Sequence, residues 1–135
     1  MSPRIQACGD GDALTRLAHA RKFLDVAELV ATEEAVPASA SVSAALAVLA
    51  GIAASDAACC AALRERSRGQ DHHQAEGLLQ RVKPGGADAA KALRRLLDLK
   101  DTAHYGLIHV SGQKLTAALR QAGQLVDFAA AIVRG

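Results

Sequence analysis

Large aromatic side chains are almost absent from this chain of 135 residues, which has two phenylalanines, one tyrosine and no tryptophan. Half of the residues are hydrophobic, so alanine and leucine must supply most of the core. Alanine offers little surface to bury, and such a core requires helices that approach one another closely. A length of 135 residues suits one hydrophobic core, and we therefore expect a single domain over residues 1–135.

A strong charge of either sign is also missing. The formal net charge is +2, with 16 lysines and arginines against 14 aspartates and glutamates. This balance is too mild to indicate nucleic-acid binding by charge alone. Any contact with RNA or a nucleotide must therefore depend on a local cluster of residues.

The sequence has few cysteines and no clear export signal. Cys8, Cys59 and Cys60 lack the spacing of metal ligands, and their odd number does not form a disulfide framework. Such usage favours a reducing compartment. The first residues lack the apolar run of a signal peptide. We therefore expect a cytoplasmic protein.

One long segment, residues 35–55, has no charge. It contains Pro37, several serines and Gly51, and most of the rest is alanine. Its apolar strength is well below that of a leucine-rich membrane span. We expect a buried helix of a bundle and no membrane association.

Apolar residues at spacings of three and four predict helices along most of the chain. The predicted helices cover residues 13–32, from 39 or 41 to 66, 72–82, 87 to the region of 104, and from a cap at Ser111 to 133. Brief loops between them predict an all-α fold, an antiparallel four-helix bundle with one additional short helix. Residues 107–110 alone resemble a strand, and they have no predicted partner.

Capping residues support these boundaries. Asp10 and Asp12 are placed to cap the first helix, and Gly69 to end the second. Asp71 is the expected cap of the third helix, and Gly106 the expected end of the fourth.

The end of the fourth predicted helix is the most informative polar segment. On a helix, Lys100 and His104 share a face, with Asp101 and Tyr105 on the adjacent strip. A cation beside a group that titrates near neutral pH suits phosphate binding or acid–base chemistry. The same residues also fit the polar end of a structural helix, with Tyr105 packed against the bundle.

Two further polar clusters have ordinary structural interpretations. His72 and Glu76 are four residues apart and could share a metal on a helix, but no further ligands are recognisable, so we expect no metal site. Arg68 belongs to a basic segment with Arg64 and Arg66. These arginines fit a solvated helix end, or a positive patch if they lie near Lys100.

Three segments in order resemble the HEPN superfamily of small helical bundles: residues 43–46, 68–75 and 96–106. The resemblance covers residues 39–128. Within this stretch, residues 100–105 are nearest to a variant motif of the family, in which an arginine is followed by three residues and then by an aspartate and a tyrosine. Lys100 replaces the arginine, His104 replaces the aspartate, and Tyr105 matches.

The resemblance implies an all-α domain that forms a homodimer, from a family in which many members are metal-independent ribonucleases of toxin–antitoxin or defence systems. Other members are inactive RNA-binding or regulatory modules, often with a nucleotidyltransferase as partner. Because lysine lacks the bidentate grip of arginine, we predict a non-catalytic nucleotide- or RNA-binding module without a cofactor. Its predicted site consists of Lys100, His104, Tyr105, Asp101, Arg68 and His72. The alternatives are a ribonuclease that uses His104 and Lys100, and a structural protein-interaction bundle.

Overall fold

The structure, a computed structural model, describes residues 4–68 and 72–135. Over these ranges the chain is mainly helical, which confirms the predicted all-α class, although a small two-stranded sheet is also present. In chain order the elements are β1 (Ile5–Ala7), α1 (Asp10–Ala31), α2 (Pro37–Leu63), β2 (Glu65–Ser67), α3 (His72–Gln80), α4 (Gly86–Tyr105) and α5 (Gly112–Arg134).

The predicted caps at Ser111 and Gly106 are confirmed, whereas the first two helices begin earlier than predicted. The N-cap of α1 is Gly9, so that Asp10 is the first residue of the helix, and the N-cap of α2 is Val36 and not Ser39 or Ser41. The Ser111 hydroxyl accepts a hydrogen bond from the Lys114 amide at 3.2 Å, and Gly106 ends α4 with its amide donating to the Thr102 carbonyl at 3.1 Å. At the start of α1, Asp12 accepts from the Gly9 amide at 2.9 Å. Asp12 therefore acts from inside the first turn and not from before it. The predicted caps Gly69 and Asp71 lie outside the described residues.

The predicted extension of the second helix to residue 66 is wrong. Arg64 adopts the left-handed conformation with φ +62°, which ends α2. The next residues turn into β2, which pairs antiparallel with β1 so that Gln6 lies opposite Arg66. Conversely, residues 107–110 do not form a strand.

Helix α2 is the centre of the packing and contacts α1, α4 and α5. Its core-facing residues are almost all small, as the composition predicts. At Gly51 an added Cβ would clash with Leu96 Cδ1 of α4. Helix α2 is long and apolar enough to cross a membrane by length and composition, yet 67% of its most apolar stretch is buried in the structure. This burial fits the core helix of a bundle.

A disulfide joins Cys8, just after β1, to Cys60 of α2, with Cα atoms 5.2 Å apart. The expectation that the cysteines form no framework is therefore corrected, because two residues separated by 52 positions meet in space. Cys59 is free and buried. Burial raises the pKa of the Cys59 thiol to about 12, with the neighbouring Asp56 carboxylate adding to the rise.

Candidate functional site

A small cavity of about 70 Å³ lies where α2, β2, α3 and α4 meet. Its apolar wall includes Ile52, Leu93 and Leu97. Its polar lining comes from four elements that are far apart in sequence, and consists of Ser55, Asp56, Ser67, His72 and Lys100. Two of the predicted site residues, Lys100 and His72, therefore lie at the same cavity.

Local structure explains how each polar side chain reaches this cavity. Lys100 follows the buried stripe of α4 that contains Leu93, Leu96 and Leu97, and its side chain is half-buried. Long helical side chains point back toward the helix N-terminus, which takes the Lys100 amine toward α3 and β2. His72 is the first residue of α3, and Ser67 is the last residue of β2.

Asp56 is the most buried charged group beside the cavity, with 11% of its side chain exposed. One carboxylate oxygen, Oδ2, accepts from Arg16 Nε at 3.0 Å and from Arg66 Nη1 at 2.9 Å. Burial raises the pKa of Asp56, and the two guanidinium groups oppose that rise. With all three groups ionised, two cations face one anion, so the cluster carries a net charge of +1.

The N-terminal strand holds this cluster in place. Gln6 of β1 accepts hydrogen bonds from Arg66 Nε at 3.1 Å and Nη2 at 2.9 Å. Arg16 and Arg66 also line a separate cavity beside the disulfide, together with Cys8 and Cys60. The orientation of Arg66 therefore depends on the β1–β2 pairing and on the disulfide beside it.

His104 is held away from the cavity by a hydrogen bond to the backbone. Its half-buried ring has Nε2 3.2 Å from the Ala45 carbonyl oxygen of α2. Because a carbonyl only accepts, Nε2 carries the proton. Ala45 lies seven residues before Ile52 of the cavity wall, which is roughly 10 Å along a helix. Lys100 and His104 thus both face α2, but at separate points along it.

The other predicted residues are more exposed. Tyr105 is 76% exposed, and its ring centroid lies 5.8 Å from that of His104. Asp101 is exposed on α4. Arg68 is exposed at the end of β2, where its amide donates to the Arg4 carbonyl at 2.7 Å. None of these three residues lines the Lys100 cavity.

Asp56 and Arg16 are the residues that the sequence analysis missed. The signal for Asp56 was present, because it is the only charged residue between Glu34 and Arg64. A single carboxylate in an apolar helix must be paired if it is buried. Its partners were not predictable, since Arg16 is 40 residues away along the chain.

Within residues 4–68 and 72–135, no group of three or more histidines, cysteines, aspartates or glutamates is placed to hold a metal ion. Neither a protein-family model nor a curated protein sequence matches the chain.

Proposed function

We propose that this chain is a non-catalytic module that binds the phosphate group of a nucleotide in the cavity beside Lys100. One observation carries the proposal. Lys100, His72 and the hydroxyls of Ser55 and Ser67 line one cavity, although they come from four separate elements. Such convergent polar groups in a partly apolar recess are typical of ligand sites.

The donor chemistry suits phosphate. The Lys100 ammonium is a cation with N–H donors, and the His72 imidazole has at least one N–H. The Ser67 hydroxyl donates to the Gln74 side-chain oxygen at 2.9 Å, so phosphate binding would turn this hydroxyl away from Gln74. Asp56 also lines the cavity, but Arg16 and Arg66 already neutralise its carboxylate. The volume of about 70 Å³ gives room for one small polar group. The base and ribose would therefore lie outside the cavity.

The position of His104 supports binding without catalysis. A general base must reach the proton that it removes, and catalysis in the alternative hypothesis requires His104 and Lys100 to act on one phosphate. The His104 Nε2 atom instead donates to the Ala45 carbonyl. For this reason the ribonuclease function is the less favoured proposal.

The finer architecture and the partners belong to the same proposal. We propose an antiparallel, HEPN-like bundle that forms a homodimer in the cytoplasm and acts as a regulatory module, with an RNA or a nucleotidyltransferase as partner. The order of the helices and the Lys100, His104 and Tyr105 motif at the end of α4 support it. The Cys8–Cys60 disulfide argues against a reducing compartment, where thiols are usually kept reduced.

Calorimetric titration tests the phosphate site, with AMP, ATP and inorganic phosphate as probes. We expect Lys100→Ala to weaken AMP binding about tenfold, because a hydrogen bond to a charged group contributes about 1.5–3 kcal/mol. Lys91→Ala removes an exposed lysine of the same helix and serves as the matched control. Equal affinities for the two variants, or no binding by the wild type, would contradict the proposal.

A second assay separates binding from cleavage. The wild type and His104→Ala are incubated with mixed RNA in the presence of a chelator. We expect intact RNA in both reactions. Cleavage by the wild type that the variant lacks would overturn the non-catalytic proposal in favour of the ribonuclease.

A further inference from the structure

A second recess lies at a different place in the fold, where the α1–α2 connection meets the start of α5. It has a volume of about 530 Å³ and shares no residue with the Lys100 cavity. We call it the α1–α5 groove, and define it by Glu33, Glu34, Val36, Val110, Leu115 and Leu119.

The floor of the α1–α5 groove is apolar and firmly held. Val110 and Leu115 are buried and form a small hydrophobic cluster with Ala44 of α2. Leu119 packs against this cluster. The Val110 amide donates to the Ser41 hydroxyl at 2.8 Å, which fixes the loop before α5 against α2. The groove is therefore built into the fold.

Two large apolar side chains lie exposed in the loop that leads into the groove. Leu107 is fully exposed and Ile108 is 80% exposed, and both precede the groove residues His109 and Val110 in the same loop. Val36, which lines the groove from the α1–α2 connection, is 48% exposed. Scattered exposed leucines are normal, but apolar residues clustered beside a recess mark an interaction surface.

Two carboxylates border the groove, and among the described residues His109 is the one other titratable side chain that lines it. Glu33 and Glu34 follow Thr32, the C-cap residue of α1, and both are exposed. Carboxylates at this end of a helix oppose its dipole, and the last turn of α1 contains no basic residue. Among residues 4–68 and 72–135, neither glutamate forms an ion pair. A cation from outside the chain would relieve this unfavourable charge.

We infer that the α1–α5 groove binds an amphipathic helix of a partner protein, with apolar side chains on the floor and lysines or arginines against Glu33 and Glu34. An apolar groove bordered by charge is the arrangement that recognises such helices. The two carboxylates disfavour RNA and anionic lipid surfaces, which would bring further negative charge. Charge complementarity therefore selects a basic protein segment.

The test uses three synthetic 14-residue peptides and fluorescence anisotropy. The first is an amphipathic helix with leucines on one face and lysines on the other. The second carries glutamates in place of the lysines, and the third has the composition of the first in scrambled order. We expect the first peptide to bind at least tenfold more tightly than either of the others.

Protein variants locate the binding. Glu33→Gln with Glu34→Gln should remove the preference for lysine over glutamate peptides, whereas Asp25→Asn with Glu28→Gln, exposed on the same helix outside the groove, should keep it. Leu107→Ser with Ile108→Ser should weaken the first peptide about tenfold. These loop residues are exposed, so the fold does not depend on them.

Leu14→Ser provides the apolar control, because Leu14 is 58% exposed but lies outside the groove. Equal affinity for the three peptides would overturn the inference, as would affinities that none of the groove variants changes. Sedimentation velocity checks the remaining occupant, a second copy of the chain. A dimer that the Leu107→Ser and Ile108→Ser changes dissociate would also overturn it, because the groove would then be a self-association surface.

Discussion

Removal of the Cys8–Cys60 disulfide is expected to destabilise the protein strongly. The two cysteines are 52 positions apart. In the chain-entropy description, closing a loop of this length stabilises the folded state by about 4 kcal/mol, within a usual range of about 2–4 kcal/mol. The native state also loses order, because Cys8 lies directly after the strand that holds Arg66 through Gln6.

Urea unfolding followed by circular dichroism measures this effect. The double variant Cys8→Ser with Cys60→Ser is compared with the wild type, each with and without dithiothreitol. We expect the reduced wild type to match the double variant, and reductant to have no effect on that variant. Cys59→Ala is the control, since it keeps the disulfide and should remain sensitive to reductant.

The disulfide account would be refuted by a wild type whose unfolding midpoint does not change in dithiothreitol. A thiol count under denaturing, non-reducing conditions gives an independent check. One reactive thiol, that of Cys59, is the expected number. Three reactive thiols would show that the two cysteines are not joined.

Two further predictions concern stability, both measured by urea unfolding. Burial raises the pKa of the Asp56 carboxyl above its ordinary 3.8. The folded state therefore keeps the carboxyl proton to a higher pH than the unfolded state does. Between the unfolded-state and folded-state pKa values, the contribution of Asp56 to the free energy of unfolding falls as the pH rises. Asp56→Asn should remove this fall, whereas Asp98→Asn, a change at an exposed residue, should keep it. A pH profile of stability that is the same for Asp56→Asn and the wild type would contradict the prediction. Gly51→Ala should destabilise by about 1–2 kcal/mol, because overpacking against Leu96 outweighs the gain in helix propensity. Gly123→Ala, with open space around the added Cβ, should instead stabilise by about 0.8–1 kcal/mol, and a shared sign for the two glycine variants would refute the packing argument.

Local sequence signals predicted the helices well, because spacing and caps act within a few residues. The hydroxyl of Ser111 and the carboxylate of Asp12 both contact amides three residues away. The end of the second helix failed for the opposite reason. Residues 64–68 have a charged, helix-compatible composition, but their structure depends on Gln6 and Cys8 near the N-terminus, more than 50 residues away along the chain.

The candidate site was predicted in part. A spacing of four residues predicts that Lys100 and His104 share one face of a helix. In the structure Lys100 lines a cavity together with residues of α2, and His104 forms a hydrogen bond with the Ala45 carbonyl of α2. Spacing does not specify where along α2 each side chain ends, because that depends on side-chain length and on the packing of α4. The pairing of Asp56 with Arg16 and Arg66 joins residues 40 and 10 positions away. No short-range pattern contains such contacts.

The most direct test of the central claim is a titration of the isotope-labelled protein with AMP, followed by amide and side-chain NMR shifts. The account predicts that the largest changes occur at Ser55, Ser67, His72 and Lys100, and that His104 and Ala45 remain unchanged. Shifts centred on His104 and Tyr105, or no shifts at saturating AMP, would contradict it.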